Sequence, residues 1–386
     1  MMKKYFILFG FLTILISCGK DDNPINPTGN EFYDVVFDKT YDLSTGPSEA
    51  SDIIESSRGG YLVAGRNKTG TTNHAALLRL DKDGNELWDK TYFNGLGLYS
   101  VIEIQGSGYI AAGGARDSAY IVRTDYEGNI IWETYHSFNY SDVARKIIQT
   151  SDTGFLIIVN SYDNNGNARL IKLENDGDKN WVKIIQGDPA LKIYSIKENA
   201  DSTISLIATS KTFSQPVSWY ITLDKNGNEI VRKSIDLSAV ELGSTFYEYS
   251  VCQNSLGNYA GCGLEYFFLF NQEGDIIIKN AIQPTAGYDN VRMYSSNPAF
   301  NNGFVACGHQ DKQVINGTAY TTKTTGSLFI FNSDGTFSNS LIIGDGTVYN
   351  LASSVILAND NSFVSVGYKS IDDVKGVVWV KKIKLK

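Results

Sequence analysis

The sequence is short of the residues from which metal and redox sites are usually built. Its 386 residues include 3 His, 4 Cys and 3 Met. It contains no HExxH, GxSxG or CxxC pattern and no P-loop, so none of the zinc, nucleophile-elbow, dithiol or phosphate-cradle motifs is present. It also lacks a cluster of Lys or Arg in its body. With a formal net charge of −8, it has no stripe suited to a phosphate backbone, which argues against a nucleic-acid partner. Proline is scarce at 7 residues, while Gly reaches 36, Tyr 23 and Phe 19. That balance favours short strands joined by Gly-bearing turns over helices. Nor is there a long hydrophobic run. The stretch Tyr5 to Ile16 is shorter than the about 20 apolar residues a spanning helix needs.

Lys3 and Lys4 precede that stretch, so residues 1–17 read as a signal peptide. The stretch ends in Leu15-Ile16-Ser17-Cys18, which resembles the lipobox of bacterial lipoproteins. The resemblance implies cleavage before Cys18 and lipid on its thiol and amine. The following Gly19-Lys20-Asp21-Asp22 resembles the export signal of Bacteroidota lipoproteins, which implies an outer-membrane lipoprotein facing the cell exterior. Residues 18–30, polar and holding two prolines from Asn23 onward, read as a flexible lipidated tether. Residues 31–386 form the folded body, expected to be monomeric.

The body repeats itself, and the repeat sets the fold. Gly60-Tyr61-Leu62-Val63-Ala64-Gly65 returns as Gly108-Tyr109-Ile110-Ala111-Ala112-Gly113. Looser copies are anchored on Phe155, Ile204, Tyr259, Phe304 and Phe363, so seven anchors recur 45 to 59 residues apart. After each comes a strand, an acidic-Gly turn and another strand, clearest in Leu78 to Trp88. Such Asp/Asn-Gly pairs supply the positive φ of tight hairpins. One more strand precedes each anchor, giving four strands in about 50 residues, the signature of propeller blades. The expected fold is therefore all-β: a seven-bladed β-propeller with four antiparallel strands per blade. The last unit lacks its fourth strand, and an orphan, Phe32 to Tyr41, precedes the first. The orphan resembles Trp88-Asp89-Lys90-Thr91-Tyr92, a fourth strand, so it is expected to complete blade seven and hide the open edges.

The repeat resembles the DGGY-IVAG … LIKLD-GN-W type found in exported bacterial proteins, across nearly all of residues 31–386. Leu80 to Trp88, Thr124 to Trp132 and Leu173 to Trp181 also resemble quinoprotein-type repeats, including the lipoprotein propeller of the outer-membrane assembly machine. The turn departs from the sialidase Asp-box, where Gly lies three residues before the aromatic. Gly84 lies four before Trp88.

Residue types that recur in most blades are read as architectural. Trp88, Trp132 and Trp181 are packing residues, and Asp81, Asp83 and Asp125 sit in turns too short to gather calcium ligands. Six residues before the anchors lie Glu55, Glu103, Gln149, Glu198 and Gln253, expected to tie blades together or line a wet channel. Ten residues before the anchors lie Tyr99, Arg145, Tyr194, Tyr249 and Tyr294, with Ser51 and Ser353 in the remaining blades. These begin the first strand of each blade and should rim the channel mouth. Tyr and Arg offer a flat face with a polar tip, so these five are the candidate ligand-binding residues. The segment from Gln310 to Gly326 is the longest loop and a second candidate binding element. His74, His136 and His309 belong to blades that are not mutual neighbours, so no metal site is expected from them. Cys262 and Cys307 occupy the small slot held by Ala64 and Ala112. A bridge from Cys252 to Cys262 is open to an exported chain.

No cofactor is called for. The expected function is a cell-surface binding or scaffold propeller with a glycan or protein ligand. The alternative is a glycosidase or lyase on the same scaffold, which rests on analogy of fold alone.

Overall fold

The computed structural model describes residues 32–386 apart from 139–140, 162–166, 188–190, 212–215, 236–249, 272, 317–318, 347 and 372–374. Seven four-stranded antiparallel sheets follow one another along the chain. In each, strands A to D run from the inner to the outer edge. Blade 1 shows the pattern, with A at Ser48–Glu55, B at Tyr61–Thr69, C at Thr72–Leu80 and D at Glu86–Tyr92. The inner strands of blades 2 to 7 are Gly97–Ile104, Asp142–Gln149, Lys192–Glu198, Ser250–Gln253, Asn290–Pro298 and Asn350–Leu357. Among the described residues no helix is long and apolar enough to cross a membrane.

Blade 7 closes the ring as the repeat count anticipates. Its B and C strands are Phe363–Ser370 and Gly376–Leu385, and its D strand is Tyr33–Tyr41 from the other end of the chain. The register runs from Tyr33 opposite Leu385 to Tyr41 opposite Val378. Asp38 fastens the seam by accepting from Trp379 Nε1 at 2.7 Å and Lys381 Nζ at 2.8 Å. The same strand grips blade 1. Lys39 Nζ donates to Asn85 Oδ1 at 2.8 Å, and Tyr41 Oη donates to the Gly84 carbonyl at 2.5 Å.

That grip is one copy of a rule that joins blade to blade. Tyr92 Oη donates to the Gly128 carbonyl at 2.9 Å, and Lys183 Nζ reaches Asn228 Oδ1 at 2.9 Å, in each case in the turn of the following blade. Trp88, Trp132 and Trp181 lean on the same turns. A β-carbon on Gly128, Gly177 or Gly227 would come within 2.9 to 3.0 Å of the respective indole. These turn glycines also hold φ of 78° to 94°, so both conformation and closeness require glycine. The turn acids are consumed locally. Asp81 Oδ1 accepts from the amides of Asp83 and Asn85 at 2.9 and 2.7 Å, and its Oδ2 accepts from Asn85 Nδ2 at 2.8 Å. Asp125 and Asp224 repeat this.

The seven anchors are buried, each between neighbouring sheets. One recurrent device shows in the repeat only as a basic residue, with no sign of its burial. Strand C carries a buried cation opposite the residue after the anchor: Arg79, Arg123, Lys172 and Lys382. Arg79 donates to Tyr109 Oη at 3.1 Å and the Tyr61 carbonyl at 3.2 Å, and Arg123 donates from one nitrogen to Ser107 Oγ at 2.6 Å. Lys172 donates to Asp152 Oδ1 at 2.6 Å. Partial burial raises the Asp152 pKa, but hydrogen bonds from Lys172, Thr150 and Gly154 outweigh it and hold the carboxyl at about 2. Hydrogen bonds from Asn85 and Asn228 likewise hold Asp81 and Asp224 below the usual carboxylate range.

These shifts predict the acid response. A depressed carboxylate stabilises the fold above its unfolded pKa of about 3.9 and loses that contribution as pH falls toward the folded value. The urea midpoint should hold level from pH 7 to about pH 4 and then fall steadily toward pH 2. Asp152→Asn should flatten that fall. An unchanged midpoint at pH 2.5 would count against the turn carboxylates as stabilisers.

Candidate functional site

Around the axis the inner strands are joined by side-chain bonds. Asp52 Oδ2 accepts from the Val101 amide at 3.1 Å, and its Oδ1 accepts from Ser354 Oγ at 3.2 Å, so blade 1 holds blades 2 and 7. Ser195 Oγ donates to the Val251 carbonyl at 3.0 Å, and Asn297 Nδ2 donates to the Val355 carbonyl at 2.7 Å. The acceptors six residues before the anchors act in the same sense. Glu103 takes the Ser57 amide at 2.7 Å, Glu198 the Ser151 amide at 2.6 Å and Glu55 the Asn359 amide at 2.8 Å, each from the preceding blade. Gln253 instead donates to Gly257 in its own turn. Of the two roles open to these residues, Glu55, Glu103 and Glu198 fill the tying one.

The positions ten residues before the anchors do something else. In blade 2 Leu98 pairs with Gly113 and Ser100 with Ala112, leaving Tyr99 without a partner on strand B. The same slip skips Ser51, Arg145, Tyr194, Tyr294 and Ser353 in their blades. Each is the extra residue of a β-bulge, the device that re-aims a side chain out of the regular alternation. The sequence placed these residues at the start of strand A. They lie inside it, as its third to fifth residue.

All six line one cavity of about 1410 Å³ on the axis. It opens on the face of the D–A and B–C connections, since Arg66, Tyr349, Tyr368 and Ser370 also line it. Tyr99, Arg145, Tyr194 and Tyr294 are thus brought together around one space. Tyr249 lies outside the described residues, as does Cys18. The Arg145 guanidinium sits 4.6 Å from the centre of the Tyr99 ring, a cation–π arrangement. Tyr294 Oη lies 3.0 Å from His309 Nδ1, and His309 Nε2 lies 3.5 Å from Asp311 Oδ1. His309 is therefore backing for Tyr294, a role the sequence did not suggest.

The segment from Gln310 to Gly326 is not a loop. It is the distal part of a hairpin between Phe304–Asn316 and Ala319–Phe331, paired residue for residue from Phe304 opposite Phe331 to Asn316 opposite Ala319. Thr322 and Lys323 of this arm line the cavity. The two carboxylates among the described lining residues are both engaged: Glu49 with Arg66 Nε at 2.7 Å, and Asp52 in the inner ring of bonds.

The remaining histidines do not converge. His74 packs edge-on against Phe93 with ring centres 4.9 Å apart, and burial holds the His136 imidazole below its ordinary pKa. Among the described residues no three His, Cys, Asp or Glu side chains gather as metal ligands. Cys252, Cys262 and Cys307 are free thiols. Cys252 faces Ala260 while Cys262 faces Ser250, so the two are offset along the ladder rather than bridged. Burial pushes Cys252 and Cys262 up to about 12, far from the thiolate range of a reactive cysteine.

No family model matches the chain and no curated protein is similar to it. Its likeness is to solved propellers. One is a protein of unknown function from Dyadobacter fermentans, 9% identical over 92% of this chain and 99% of that one, with a TM-score of 0.51. Another is Sqt1 from Chaetomium thermophilum bound to the N-terminus of ribosomal protein L10, 11% identical over 90% and 100%, with a TM-score of 0.52. A third is BBS1N in complex with ARL6DN, 10% identical over 90% and 96%, with a TM-score of 0.50. At these identities the likeness is one of fold, and the fold is a seven-bladed β-propeller.

Proposed function

We propose that this chain is a binding propeller whose axial cavity receives its ligand on the D–A and B–C face. The observation that carries this reading is the row of bulges. Six blades break their inner ladder at the same position, and the residue released each time is Tyr, Arg or Ser facing the cavity. A bulge forfeits ladder bonds, and such sites concentrate where a side chain must be re-aimed for function. Both carboxylates among the described lining residues are tied up in structure, which favours holding a ligand over acid–base chemistry upon it. Two propellers of like fold are seen with protein partners, and a scaffold of this kind suits either a glycan or a protein.

The setting belongs to the proposal. The lipobox-like Leu15-Ile16-Ser17-Cys18 and the tether after it would hold a monomeric propeller at the outer membrane with its cavity open to the exterior. The test is a glycan array and an outer-membrane pull-down run with the wild type and a Tyr99→Ala, Tyr294→Ala double variant. A ligand held by the wild type and lost by the folded variant is the expected result. Equal retention by both, or no ligand in either format, would overturn it.

A further inference from the structure

The lining of the cavity carries information about the chemistry of its ligand, given the reading of the cavity as a ligand site, on which this inference rests. The chain as a whole is acidic, at −8, yet the cavity is not. Among the described residues its lining holds four cations, Arg66, Arg145, Lys146 and Lys323, against two carboxylates, Glu49 and Asp52. Arg66 and Glu49 pair with each other, and Asp52 is held by neutral donors. The cavity is thus a net positive space inside a net negative molecule. A concave low-dielectric wall focuses such a field.

The cations stand on two walls. Arg145 and Lys146 come from blade 3, and Lys323 comes from the arm of blade 6, three blades away around the ring. Lys146 and Lys323 are exposed and form no ion pair among the described residues. The Arg145 guanidinium stands over the Tyr99 ring. Between the walls lie Tyr99, Tyr194, Tyr294, Tyr349 and Tyr368 together with serine hydroxyls. Aromatic faces with polar tips suit a ligand that is itself apolar on its faces and hydroxylated at its rim.

We infer that the cavity takes an oligosaccharide bearing acid groups, carboxylate or sulfate, with its charges divided between the blade 3 cations and Lys323. An extended acidic peptide is the less suitable occupant. Strand addition, one mode by which such a segment binds, is unsuited here because the inner edges are interrupted by a bulge at the depth of the cavity.

The test is calorimetric titration of the full protein with four probes: oligogalacturonate for carboxylate, a heparin-derived oligosaccharide for sulfate, a neutral galactan oligosaccharide of matched length, and a poly-glutamate peptide. At least one acidic saccharide should bind, the neutral one should bind at least tenfold more weakly, and affinity should fall as salt rises. Arg145→Gln with Lys146→Gln, and separately Lys323→Gln, should each weaken the acidic saccharide by roughly tenfold or more, the size of one charged hydrogen bond. Melting curves confirm that the variants are folded. A neutral saccharide bound as tightly as its acidic counterpart and lost on Tyr99→Ala would overturn the acidic class while leaving the cavity as the site. Poly-glutamate bound more tightly than any saccharide would overturn the saccharide class. Binding of no probe at all overturns the acidic-saccharide assignment, and the array and pull-down then decide the cavity reading separately.

Discussion

A chain that starts at residue 43, and so lacks the strand Tyr33–Tyr41, is expected to lose its single cooperative melt and to elute as aggregate. The strand buries Tyr33, Phe37 and Tyr41, and burying side chains of this size contributes about 1.5–3 kcal/mol each. Its removal also takes the Asp38 acceptor from Trp379 Nε1 and leaves Lys381 Nζ only the Ile343 carbonyl. It further bares the edge of Gly376–Leu385, an invitation to edge-to-edge pairing. The combined loss is on the order of 5 kcal/mol or more, comparable with the whole stability of an ordinary domain. A synthetic peptide covering residues 31–43, added at high concentration, should restore part of the melt by mass action. Identical melting with and without the strand would show that the ring does not depend on its seam. Asp38→Ala is the milder version. It should cost about 1–3 kcal/mol, the penalty for leaving a buried donor without its partner.

The second large effect is expected at a residue with no side chain. Gly113 lies opposite the bulge of blade 2, and a β-carbon there would stand 1.8 Å from the Gly97 carbonyl oxygen and 2.9 Å from the Leu98 Cα. Both obstacles are backbone, so neither can swing away. Gly113→Ala should destabilise the protein by about 3 kcal/mol and lower Tm by roughly 4 °C. Its neighbour Gly114 is the control. There the nearest atom to an added β-carbon is Val143 Cγ2 at 3.6 Å, an ordinary contact, so Gly114→Ala should stay within about 0.5 kcal/mol. Scanning calorimetry of both variants decides the matter. Equal Tm values would mean that the bulge is soft enough to absorb a methyl group, and the aim of Tyr99 would then not be set by the backbone.

The fold can be read from the sequence because propeller blades bury their faces against copies of themselves, so the pattern that packs one blade is written seven times. Tyr61, Tyr109 and Phe155 announce it, and the mismatch between a leading D strand and a trailing unit without one gives away the seam. The cavity residues can be located by the same counting, ten positions before each anchor. What counting does not supply is the reason they face inward. A bulge leaves no mark on strand A itself. Its trace is the glycine across from it, Gly65, Gly113, Gly308 or Gly367, each with a β-carbon position only 1.8–2.1 Å from a carbonyl oxygen of strand A. The buried cations Arg79, Arg123 and Lys172 are not legible because a charged residue on a strand reads as solvent-facing by default, and only the folded A–B turn shows the partners that satisfy it. The blade 6 arm reads as a loop because its run of Thr, Lys and Gln lacks apolar alternation, although Asn316-Gly317 is a common hairpin signal.

The seam carries a consequence for the order of events as the protein is made. Asp38 and Trp379, whose side chains meet across it, are 341 residues apart in the chain. The first strand to leave the ribosome therefore waits for the last before it has anything to pair with, and contacts this distant are the slowest to form. Until its C-terminus emerges the polypeptide cannot complete its circle.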